Sequence, residues 1–155
     1  MPAVEGKKAP EFELRDDAGN TVRLSDLRDR HVVLYFYPKD DTPGCTIEAC
    51  DFRDNMARLQ QRGAVVLGVS PDGEKSHQRF KKKFDLPFPL LVDEDHSVAE
   101  AYGAWGEKKR YGRTYQGIIR STFLIGPDGS VQKAWTGISA MGHVDEVLST
   151  LEELS

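Results

Sequence analysis

At 155 residues, 39% hydrophobic and 30% charged, the chain has the length and composition of one globular domain with a sizeable core, and not those of a disordered protein. Its 25 acidic and 21 basic residues leave a formal net charge of −4, which gives no support for binding nucleic acid or an anionic membrane. No stretch is long enough to cross a bilayer, and Met1–Lys8 lacks the apolar core of a signal peptide, so a cytoplasmic location is the expectation.

Phe12-Glu13-Leu14 and Val22-Arg23-Leu24 flank a Gly/Asn turn and predict a small hairpin. Ser25 and Asp26 then suit the cap of a short helical turn. Residues 31–37 are apolar without alternation, the pattern of a strand buried on both faces. From Cys45 the apolar residues Cys45, Ala49, Phe52, Met56 and Leu59 recur at helical spacing, and Gly63 marks the helix end. Ala64 to Val69 reads as a second buried strand. A helix with His77, Phe80 and Phe84 on one side follows, then a short strand ending at Val92 and a short helix over 97–102. The Gly-, Lys-, Arg- and aromatic-rich segment 103–117 reads as a long loop. Ile118 to Ile125 and Val131 to Trp135 predict a hairpin around Gly126-Pro127-Asp128-Gly129. Val144, Val147, Leu148, Leu151 and Leu154 predict a C-terminal helix. Strands that alternate with helices and end in a hairpin imply an α/β fold with a mixed sheet, in one domain over 1–155.

Cys45 and Cys50 are the chain's two cysteines. Cys45 falls where a strand gives way to a helix, and the free N–H groups there favour a thiolate. In a reducing compartment such a pair is redox-active or metal-binding before it is a permanent staple. Their spacing is not that of zinc ligands, and His31, His77, His96 and His143 are scattered, so no metal site is expected. Taken alone, Cys45 also suits an inert core position, and Thr42 and Arg120 suit a turn and a strand-edge ion pair.

Pro38, Thr42 and Cys45 stand in the spacing P-x-x-x-T-x-x-C, which resembles the active-site signature of peroxiredoxins. The string Phe36 to Thr46, the position of Cys50, and the segments Tyr102 to Lys109 and Gly117 to Ile125 are similar to the bacterioferritin-comigratory, or Q-type, branch. The resemblance spans nearly the whole chain. It implies a thioredoxin-like fold with a central mixed sheet, and a thiol-dependent peroxidase of peroxides without a cofactor. It further implies Cys45 as the attacking thiol, Cys50 as the resolving thiol, and Thr42, Arg120 and Pro38 as their supports. Thioredoxin is the implied reductant, with glutaredoxin or glutathione as alternatives, and a monomer is the implied state.

The chemistry sets its own demands. Complete ionisation of a thiol of pKa ~8.5 gains at most roughly 30-fold at pH 7, and part of that is lost as nucleophilicity falls. Most of the acceleration must come from orienting the peroxide and stabilising the departing oxygen. The Thr42 hydroxyl, the Cys45 backbone N–H and the Arg120 guanidinium are the expected donors. Glu48, within the first helical turns, is read as a complement to the helix dipole, with a second reading in which it orients Arg120. On an α-helix, positions five apart lie about 140° around the axis, and their Cα atoms are ~8.7 Å apart. A disulfide closes only within ~7 Å, so a Cys45–Cys50 bond requires the helix to unwind. The same switch would serve a peroxide-responsive sensor. A general thiol–disulfide oxidoreductase is disfavoured by the absence of C-x-x-C.

Overall fold

The computed structural model describes residues 3–154; Met1, Pro2 and Ser155 lie outside the described residues. The N-terminal hairpin pairs β1 (Glu13–Asp16) antiparallel with β2 (Thr21–Arg23). Asp16 builds its turn by accepting from the N–H groups of Ala18 and Asn20, and Gly19 supplies the left-handed residue at φ +82°. A 3-10 turn, Leu24–Leu27, follows, but no side chain caps it. The Ser25 N–H donates to Glu11 Oε1 instead.

The two apolar runs become β3 (His31–Phe36) and, after two helices, β4 (Ala64–Ser70), paired in parallel. The helices are α1 (Pro43–Asp54) and α2 (Met56–Gln61). The apolar spacing predicts one helix here, and the structure interrupts it at Asn55. The Asn55 side chain donates to the Asp51 carbonyl, the local competition that makes asparagine a poor residue inside a helix. Gly63, at φ +71°, ends α2 as expected. Next come α3 (Glu74–Phe84), β5 (Leu90–Val92) parallel to β4, and α4 (Ser97–Tyr102).

Segment 103–117 is not a loop. It forms most of a separate antiparallel hairpin of β6 (Trp105–Arg110) and β7 (Arg113–Ile118), turned by Tyr111 and Gly112 at φ +52° and +72°. Two consecutive positive φ values are the signature of a type I′ hairpin turn. The ribbon stands apart from the main sheet and its outer residues are exposed, so its sequence lacks the apolar alternation of a half-buried strand. The predicted strand from Ile118 is also divided. Ile118 closes β7, and β8 (Ser121–Ile125) begins after Ile119 and Arg120. Then β9 (Val131–Thr136) and α5 (His143–Leu154) complete the chain.

The seven-stranded sheet runs β2-β1-β5-β4-β3-β8-β9, with β3, β4 and β5 parallel and the other pairings antiparallel. Alternate residues of β3 feed two cores. Val33 and Tyr35 join residues of α1, α2, α3 and α5 on one face, while Val32, Leu34 and Phe36 join α4 and the base of the β6–β7 hairpin on the other. The sheet is thus covered on both sides at its middle, which is why its central strands are apolar throughout. The fold is the expected α/β arrangement, a central mixed sheet flanked by helices with an N-terminal hairpin. No helix among the described residues is long and apolar enough to cross a membrane.

Candidate active site

The site forms where β3 ends and α1 starts. Thr42 is the N-cap residue, in extended conformation, and Pro43 takes the first helical position, where a missing N–H costs nothing. The Thr46 N–H closes the first helical bond onto the Thr42 carbonyl at 2.8 Å. The N–H groups of Gly44 and Cys45 therefore fall in the unpaired first turn and present positive dipole ends at the sulfur. Cys45 itself is 1% exposed, at the floor of a cleft of about 440 Å³.

Arg120 reaches the same point from the far side. In the β3–β8 register Phe36 faces Ser121, so the residue before Ser121 meets the chain just where it leaves the sheet toward Cys45. Arg120 Nη2 donates to Cys45 Sγ at 3.3 Å, and Nη1 donates to Glu48 Oε1 at 2.7 Å. One guanidinium thus holds two groups in a rigid fork. Gly44 permits this approach, since a Cβ on it would lie 3.1 Å from Arg120 Nη2.

For Glu48 the geometry favours the second of its two readings, orientation of Arg120. It does not complement the helix dipole from the surface; it is fully buried and ion-paired to Arg120. It lies three residues after Cys45, hence on the thiol's face of the helix. That spacing was the available signal. Burial pushes its carboxyl up to about 7, although Arg120 pulls it back, and Glu48 Oε2 has no hydrogen-bond partner among the described residues. Burial also works against the Arg120 charge, but Glu48 and Cys45 outweigh it and hold Arg120 protonated.

Pro38 and Thr42 line the cleft beside Cys45. The Thr42 hydroxyl donates its proton to the Lys39 carbonyl at 2.8 Å. Its lone pairs remain for a ligand, so it is placed to accept a hydrogen bond and not, as expected, to donate one. The opposite wall comes from the β6–β7 hairpin: Trp105, Lys108, Arg110, Tyr115 and Ile118. Trp105 is fixed by stacking on His96, with ring centroids 3.6 Å apart. Lys108 donates to the Ile118 carbonyl at 2.7 Å, and burial, then Arg120, lowers its pKa. Tyr111, 89% exposed at the hairpin tip, does not line the cleft.

Pro38, Thr42, Cys45 and Arg120 are therefore assembled at one cleft, and Cys50 is not among its lining residues. Both thiols are free and both lie on intact α1. The Cys50 thiol is half-buried and its pKa is raised, chiefly by burial, with Asp54 and Asp51 adding to the effect against Arg53. Among the described residues no group of three or more His, Cys, Asp or Glu is placed to hold a metal ion.

Comparison with known proteins agrees with this geometry. The AhpC/TSA family model matches residues 5–134. Peroxiredoxin Bcp of Bacillus subtilis is 52% identical over 150 residues, covering 97% of this chain and 96% of that protein. Peroxiredoxin Bcp of Escherichia coli is 46% identical over 152 residues, covering 98% and 97%. Among solved structures, a mutant of Peroxiredoxin Q from Xanthomonas campestris superposes with a TM-score of 0.92 at 39% identity over 100% of both chains. The bacterioferritin comigratory protein of the same organism, studied for alkyl peroxide reduction activity, gives a TM-score of 0.88 at 40% identity over 92% of this chain and 90% of that one. A buried thiol at a helix start, gripped by an arginine within this fold and at this level of identity, places the chain in the AhpC/TSA family, among its Bcp, or Q-type, peroxiredoxins.

Proposed function

We propose that this peroxiredoxin reduces hydrogen peroxide and organic hydroperoxides with Cys45 as nucleophile and Cys50 as resolving thiol. The observation that carries the reading is the Arg120 fork, 3.3 Å from Cys45 Sγ and anchored by Glu48. The alkyl peroxide reduction activity of the Xanthomonas campestris relative supports the substrate class.

In the first step the Cys45 thiolate attacks one peroxide oxygen. An S–O bond forms, the O–O bond breaks, and the departing oxygen leaves as alkoxide or hydroxide and takes up a proton. The sulfur is oxidised to sulfenic acid and the peroxide is reduced to an alcohol or water. Thr42 Oγ accepts from the peroxide O–H, and the Cys45 N–H and Arg120 stabilise the negative charge that develops. Pro38 keeps water from the sulfur. In the second step the Cys50 thiol attacks the sulfenic sulfur, an S–S bond forms, and water leaves. An external dithiol then reduces the disulfide and is itself oxidised.

Thioredoxin is the reductant that suits an intramolecular disulfide, and a cytoplasmic location suits its supply. Peroxide-dependent consumption of NADPH with thioredoxin and its reductase, but not with glutathione and glutathione reductase, checks the first. Cell fractionation checks the second.

Intact-mass measurement after one equivalent of peroxide tests the thiol roles. Wild type should lose two hydrogens, Cys50→Ser should gain one oxygen, and Cys45→Ser should be unchanged. Continued peroxide turnover by Cys45→Ser would overturn the assignment.

A further inference from the structure

The loop that carries Pro38 and Thr42 is anchored at its centre by a buried polar cluster that the proposed chemistry does not use. Asp40 turns inward from this loop, with its side chain 3% exposed. Its Oδ1 accepts from the Tyr37 hydroxyl at 2.6 Å. Its Oδ2 meets the Ser76 hydroxyl at 2.8 Å and His77 Nδ1 at 2.7 Å. The other ring nitrogen, His77 Nε2, lies 2.8 Å from the Leu91 carbonyl oxygen in β5. The Asp40 backbone is held too, since its N–H donates to Asp72 Oδ2 at 2.8 Å, and Ser70 Oγ donates to the same oxygen.

These contacts set the charge state. A carbonyl oxygen only accepts, so His77 Nε2 carries a proton. Both Asp40 oxygens act as acceptors, Oδ1 from the Tyr37 hydroxyl and Oδ2 from the Ser76 hydroxyl. Facing an oxygen that accepts, His77 Nδ1 carries a proton as well. The pair is then an imidazolium and a carboxylate with every proton placed, the condition under which a buried ion pair is tolerated. Burial works against the charged ring, but the Asp40 bond and charge, the Leu91 carbonyl and Asp72 outweigh it.

The anchor matters because the loop needs one. The residue after Asp40, Asp41, adopts φ +58°, a left-handed conformation that costs a non-glycine residue free energy and persists only where its surroundings impose it. The next residue is Thr42. Its hydroxyl is oriented by the Lys39 carbonyl, which lies in the same loop.

We propose that His77, through its ion pair with Asp40, is a positioning residue for the peroxidatic step: it holds the 38–42 loop so that Thr42 faces the peroxide at Cys45. His77 touches neither sulfur nor substrate and acts through Thr42. The proposal rests on the peroxidase reading above, and Cys45→Ser separates the two. If that variant still consumes peroxide, it is the peroxidase reading that fails.

The test is stopped-flow oxidation of the reduced full-length protein by hydrogen peroxide, resolving sulfenic acid formation from disulfide closure. His77→Asn should slow the first phase about ten-fold, as expected for loss of alignment, and leave the second unchanged. In a Thr42→Val background the same substitution should add no further loss, because the group it positions is gone. An unchanged first phase, equal slowing of both phases, or an additive loss beside Thr42→Val would overturn the proposal. If His77→Asn lacks a cooperative unfolding transition, Tyr37→Phe decides. It removes one hydroxyl from Asp40 and keeps the ring packing, and should slow only the first phase, about three-fold. A wild-type first phase in Tyr37→Phe would then count against the anchor.

Discussion

Glu48 shows how a single side chain trades stability for position. It is taken fully out of water so that Arg120 has a carboxylate to grip at 2.7 Å. Burial raises its pKa from 4.5 to about 7. The native state then holds this proton more tightly than the unfolded chain does, so the contribution to stability is fully present below about pH 4.5 and is lost as pH rises through about 7. The window corresponds to about 3 kcal/mol. Glu48→Gln should flatten this fall, seen as urea midpoints that change less between pH 5 and pH 8 than those of wild type. It should also slow Cys45 oxidation about ten-fold, because a neutral amide holds the guanidinium less firmly than a carboxylate. A wild-type pH dependence in the variant would show that Glu48 is not the group responsible.

Helix α1 carries two demands that conflict. Its start must be ordered to present Gly44 and Cys45 N–H groups to the reaction, yet a Cys45–Cys50 bond cannot close across five residues of intact helix. Phe52, further along, stacks on Tyr35 with ring centroids 4.7 Å apart and secures the later turns. The N-terminal turns are therefore the part free to open. Hydrogen exchange should show the amides of residues 45–50 losing protection when the protein is oxidised, while those of β3 and β4 keep theirs. Full protection of 45–50 in the disulfide form would contradict the proposed closure. The β6–β7 hairpin has a different task. It stands off the main sheet and walls the cleft with Trp105, Tyr115 and Lys108.

At the scale of the whole molecule, the sheet brings distant parts of the chain to one point. β3 delivers Cys45, β4 delivers Asp72 and α3 delivers His77, all beyond the same edge of adjacent parallel strands. Loops at the carboxyl ends of parallel strands are where α/β proteins place their sites. β8 runs antiparallel to β3, so Arg120 enters that end from its N-terminal side. Both thiols lie in one helix and Arg120 comes from the same chain, so the proposed cycle calls on no second copy. A monomer is proposed on that ground. Light scattering should give the mass of one 17.4 kDa chain in reduced and oxidised samples alike; a stable dimer in either state would refute it.

Several of these features were legible in the residues alone. The uninterrupted apolar runs of β3 and β4 announced buried strands, and the spacing of Pro38, Thr42 and Cys45 announced the thiol site, because both are encoded by neighbours along the chain. The β6–β7 hairpin was not legible, since a solvated ribbon needs no apolar alternation. The burial of Glu48 and the Asp40–His77 pair were not legible either. A carboxylate or an imidazole has the same appearance in a sequence whether it faces water or a guanidinium 72 residues away. Local sequence determined most of the strands and helices and where the proposed nucleophile stands. Tertiary structure alone decided which charges leave water together, because that depends on partners that only the folded sheet brings within reach.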